Sequence, residues 1–128
     1  MIRTTSAAEE RLVALAAAET RGPRRDGLYA LWLVVRAAEG VLPPDPVARA
    51  SHRRRVQAIR TRVGALALPA PLKRALTAAC HHLEPATTDA AAVVLSQLIA
   101  PTRDVLGPDA ADAVTQAARG ARPPGGGR

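Results

Sequence analysis

The chain has 128 residues and a formal net charge of +7, with 29 alanines, no phenylalanine, a single tryptophan (Trp32) and a single tyrosine (Tyr29). That length suits one domain, and its one cysteine, Cys80, excludes an intrachain disulfide and fits a reducing compartment. The longest strongly apolar run, Leu28 to Val35, is far too short to cross a bilayer, and Glu9 and Glu10 stand where a secretory leader needs a positive or neutral start. A cytoplasmic protein is expected, with a core of small side chains that each bury little area.

Gly and Pro fall between periodic runs and divide the chain into helices. The first is expected over residues 7–21, opened by Ser6 and Glu9 as a capping box and stopped by Gly22-Pro23. The second should run from Asp26 to Gly40. Leu28, Tyr29, Leu31, Trp32, Leu33, Val34 and Val35 are apolar around most of its circumference, which predicts a central helix with both rings buried. Asp45-Pro46 reads as N-cap and first residue of a third helix over 46–68, with His52, Val56, Ile59, Val63 and Leu66 at spacings of three and four.

Pro69-Ala70-Pro71 restarts the chain as a fourth helix to Leu83, with Leu72, Leu76, Ala79 and Leu83 inward. Thr87 or Thr88 should cap a fifth helix carrying Val93, Val94, Leu95, Leu98 and Ile99; Pro101 ends or kinks it, with a further turn to Leu106. A sixth segment, 109–119, has only Val114 as a large apolar residue and reads as the least secure helix. Residues 122–128 have nothing to bury and read as a disordered tail. No stretch alternates as a strand does. The predicted fold is all-α, one compact bundle of five or six helices over 1–121 with short Pro/Gly-marked loops.

Charge is concentrated in one window. No acidic residue occurs between Asp45 and Glu84, whereas Arg49, Arg53, Arg54, Arg55, Arg60, Arg62, Lys73 and Arg74 all do; the other 10 basic and 11 acidic residues nearly cancel. At about 100° per residue, Arg49, Arg53 and Arg60 share one border of the apolar stripe, Arg55 and Arg62 line the other, and Arg54 points away from it. A face selected only for solubility usually mixes signs. The window therefore predicts a polyanion site, foremost nucleic-acid backbone (DNA or RNA), anchored by Arg49, Arg53, Arg54, Arg60, Arg62, Lys73 and Arg74. An acidic protein surface is the alternative partner, and a solvated face without a ligand is the bland one. A sharper version makes the third and fourth helices a helix-turn-helix with Arg74, Thr77 and His81 facing bases, but the Pro-Ala-Pro break and the long third helix fit it poorly.

Signals for chemistry are poor. Cys80, His81, His82 and Glu84 form the densest metal-capable group, yet neighbours on a helix diverge and only Cys80 and Glu84 converge, so no metal site, catalytic residue or cofactor is expected. No glycine-rich phosphate loop precedes a helix. With both rings expected inside, base stacking is not expected. The alanine-rich faces of the first and last helices either close the bundle or serve a homodimer or a larger complex. The expected protein is a non-catalytic binding module.

Overall fold

The capping box expected at Ser6 closes: the Ser6 hydroxyl accepts from the Glu9 amide (3.1 Å) and the Glu9 carboxylate accepts from the Ser6 amide (3.5 Å). The computed structural model describes residues 6–19, 22–39, 45–84 and 90–120. They form six helices, α1 (Ala7–Ala18), α2 (Pro23–Glu39), α3 (Pro46–Ala65), α4 (Ala70–Leu83), α5 (Ala90–Leu106) and α6 (Pro108–Gly120), and no strand occurs among the described residues. The all-α bundle is as expected. Thr87, Thr88 and the tail 122–128 lie outside the described residues.

Helix ends differ from expectation where local chemistry outweighs periodicity. Glu19 leaves helical geometry (φ −90°, ψ 144°), so α1 stops at Ala18 and not at residue 21. Pro23 opens α2 instead of merely closing α1, because its missing donor is no loss in a first turn; the Asp26 amide already donates to the Gly22 carbonyl at 3.0 Å. Leu66 is extended (φ −83°, ψ 146°), which ends α3 three residues early, and proline at 69 disfavours helical geometry at Leu68. α5 passes through Pro101 to Leu106. It ends at Gly107, whose φ of 99° favours glycine and whose amide donates to the Thr102 and Arg103 carbonyls at 3.2 and 3.1 Å.

α2 is the central element and touches all five other helices. Around it the others form an open arc in the order α1, α6, α5, α4, α3, each touching the next, while α3 and α1 do not meet among the described residues. Gly27 sits at a close approach in this packing. A Cβ built there would lie 3.0 Å from Leu106 Cδ2 and 3.1 Å from Leu72 Cδ2, so a side chain at this position requires both leucine ends to shift by a few tenths of an ångström.

The sixth helix is better anchored than its composition suggests. Ala110, Ala111, Ala113, Val114, Ala117 and Ala118 are buried, and α6 packs on α5, α1 and α2. Small side chains let the backbones come close, so contact area replaces side-chain bulk. On α1, Ala8 and Leu12 are buried and Leu15 and Ala16 pack partly against the core. The alanine face of α6 thus closes the bundle, while Leu15 and Ala16 on α1 are only partly covered within the chain.

Gly27→Val should destabilise the fold by about 1–3 kcal/mol through overpacking, read as a lower urea midpoint. An unchanged midpoint would show that Leu72 and Leu106 can move aside.

Candidate nucleic-acid interface

Asp45 and Pro46 set α3 in place: the Asp45 side chain accepts from the Ala48 amide at 2.9 Å, and Pro46 fills the first helical position. Among the described helices, α3 packs on α2 and α4 alone. It buries Val56, Ile59 and Val63, a single stripe at spacings of three and four. His52 and Leu66, expected in the same stripe, are half-buried, and His52 Nε2 donates to the Leu83 carbonyl at the end of α4 (3.1 Å). Most of the circumference of α3 faces water.

Arg49, Arg53, Arg54 and Arg55 are all exposed on that open side, and Arg74 is exposed on α4. Arg54 reaches the Ser51 hydroxyl at 3.4 Å. Arg53, Arg55 and Arg74 have no ion-pair partner among the described residues. Successive side chains on a helix diverge by about 100°, so Arg53-Arg54-Arg55 spreads charge around the helix and does not form one row.

Arg49 also interacts within the fold, and three further expected anchors are engaged with named groups. Arg60 is drawn towards α4, where its guanidinium donates to Glu84 Oε2 at 3.3 Å and to His81 Nδ1 at 3.2 Å. Gln57 Nε2 donates to the other Glu84 oxygen at 2.7 Å. Arg62 leans towards α2 and donates to the Tyr29 hydroxyl at 2.7 Å. Lys73 Nζ donates to the Leu66 carbonyl at 3.1 Å, closing the end of α3, where a cation is favoured. Arg60 and Arg62 therefore leave opposite borders of α3, as the helical wheel requires. The pattern could not show which tertiary acceptors wait on each side.

The helix-turn-helix version loses two of its three base readers. The Thr77 hydroxyl donates to the Lys73 carbonyl at 2.8 Å, and His81 accepts from Arg60. α4 is also held between α3, α2 and α5.

The expectation that both rings are buried is corrected. Tyr29 is 36% exposed and Trp32 is half-buried. Their centroids lie 5.7 Å apart with planes at 42°. The Arg62 guanidinium sits 5.7 Å from the Tyr29 centroid, and that of Arg36 sits 5.6 Å from the Trp32 centroid. The reason is the open arc: with α1 and α3 apart, α2 keeps one wet strip along Arg25, Tyr29, Trp32 and Arg36, at spacings of four, three and four. The signal was present in the sequence as two arginines flanking two rings in helical register.

Cys80 is buried in the α4 seam. Burial pushes its thiol up to about 11 from 9.0, with Glu84 raising it further and Arg60 pulling it down. A thiol held protonated is a poor nucleophile and a poor metal ligand. Among the described residues no three His, Cys, Asp or Glu side chains gather as a metal site, and no helix is long and apolar enough to cross a membrane.

The raised thiol carries a stability consequence. The unfolded chain releases the Cys80 proton first, so this contribution is complete below pH 9 and is lost as pH rises through about 11. The denaturation midpoint should fall more steeply over that range than in Cys80→Ala, and parallel curves would contradict the burial argument.

No protein-family model matches the chain, and no curated protein or solved structure shows significant similarity to it.

Proposed function

We propose that this chain is a non-catalytic binding module that contacts nucleic-acid backbone through α3 and the start of α4. The observation that carries the reading is the exposed run Arg53-Arg54-Arg55 on a helix whose window, residues 46–83, contains no acidic residue. Guanidinium groups bond phosphate oxygens in pairs, and each neutralised phosphate releases counterions. Contacts of this kind position a protein on DNA or RNA without reading bases. Arg49, Arg53, Arg54 and Arg74 are the anchors, joined by Arg55; Arg60, Arg62 and Lys73 first shape the surface that presents them.

An acidic protein would meet the same arginines, but a stable protein interface also needs an apolar centre. The exposed large apolar residues Val13, Tyr29, Val47 and Val93 sit on four different helices. That distribution favours a phosphate backbone over a protein partner.

Arg53→Glu/Arg54→Glu should abolish retention of nucleic acid at ~50 mM salt and lower the slope of log K against log salt by about 0.7–0.9 per lost phosphate contact. The fold should survive, since both side chains are exposed. Reversal at Arg60 is a poorer choice because it would set a carboxylate against Glu84. In the opposite direction, Glu84→Gln frees Arg60 and should steepen the salt dependence by up to about 0.9 on duplex. No retention of DNA or RNA by the unaltered protein at low salt would end this reading.

A further inference from the structure

Tyr29 is exposed and Trp32, packed against the core with its Nε1 buried, is still half open, which needs an explanation in a chain that has no other large rings. Full burial of a Tyr or Trp is worth more than that of any other side chain available here, and a core without phenylalanine has every reason to take them in. Instead Tyr29 and the outer part of Trp32 lie on a side of α2 that, among the described residues, no helix covers between α3 and α1. Each ring carries a guanidinium over it: Arg62 reaches from α3 at 5.7 Å and bonds the Tyr29 hydroxyl, and Arg36 lies at 5.6 Å from Trp32. The result is a row in the order Arg62, Tyr29, Trp32, Arg36, with planar groups throughout; Arg62 is the cation at the Tyr29 end, whereas Arg36 at the Trp32 end is paired with Glu9 at 3.9 Å.

Such a row has the features that unpaired bases need. Bases stack on aromatic faces and on guanidinium planes, and a cation beside the platform, here Arg62, meets the phosphates between them. A duplex keeps its bases stacked internally and has no use for rings. The row is also continuous with the basic helix, because Arg62 belongs to both. We infer that this strip of α2 stacks unpaired bases, with Tyr29 as the exposed platform, so that single-stranded nucleic acid is the preferred ligand. The inference rests on the backbone-binding reading above and narrows it.

Trp32, the sole tryptophan, reports on this row without labelling. The test titrates the whole chain with a homopyrimidine single strand and with a duplex of equal length. The single strand should quench Trp32 emission and bind more tightly than the duplex. Tyr29→Leu should weaken single-strand binding by about fivefold or more without weakening duplex binding, whereas Tyr29→Phe should retain single-strand affinity. Tyr29 is partly exposed, so a thermal melt confirms that both variants fold; the fluorescence of the unaltered protein tests the inference even if one does not. Unquenched Trp32 with equal single-strand affinity for the Leu variant would overturn stacking. If Arg53→Glu/Arg54→Glu still abolished binding in that case, the backbone reading would stand alone. Failure of the unaltered protein to bind either form would remove both.

Discussion

The structure depends on burying α2 with small side chains. Burial contributes about 25 cal/mol per Å² of apolar surface, and alanine offers little of it, so the bundle gains area through close approach of backbones. Gly27 between Leu72 and Leu106 and the alanine face of α6 are two results of that demand. A third is the arc itself. Five helices are gathered on one central helix, but they do not close around it, and the strip holding Tyr29 and Trp32 stays at the surface.

Charge is sorted by the same architecture. Away from α3, three cations meet carboxylates: Arg11 lies 3.8 Å from both Asp109 and Asp112, Arg24 Nε is 2.7 Å from Glu19, and Arg36 Nε is 3.9 Å from Glu9. Exposed pairs of this kind contribute little to stability, roughly 0–1 kcal/mol, but they cancel the field on their side. Arg24 also donates to the Leu106 carbonyl, at the end of α5 where positive charge is favoured. At the border of α3 with α4, Glu84 neutralises Arg60. Arg53 and Arg55 on α3 and Arg74 on α4 have no ion-pair partner among the described residues, so positive field remains there.

Much of this was legible in the residues. The Ser6–Glu9 box, the Asp45-Pro46 start and the Val56, Ile59, Val63 stripe are local patterns with local causes, and each appears as read. The illegible parts depend on partners distant in sequence. Lys73 looked like an anchor until the Leu66 carbonyl was placed beside it, and Arg60 until Glu84 was. α6 looked weak because alanine was judged by size, whereas its worth lies in how near α5 can come. Tyr29 was misread for a different reason: α2 was taken as apolar all round, although Arg25 and Arg36 mark a wet strip in the same register.

The placement of the arginines follows from what each helix does for the core. Arg53, Arg54 and Arg55 point apart, yet three like charges within one turn still repel one another. On α2 such a run would displace buried residues on every side. Among the described helices, α3 touches only two and is seated by three β-branched side chains, so its outer surface is free of packing demands. Repulsion there is relieved by any polyanion that binds, which makes ligand binding and stabilisation of the folded state one linked process. A fold that can spare one helix from its core is one that can dedicate that helix to a charged partner.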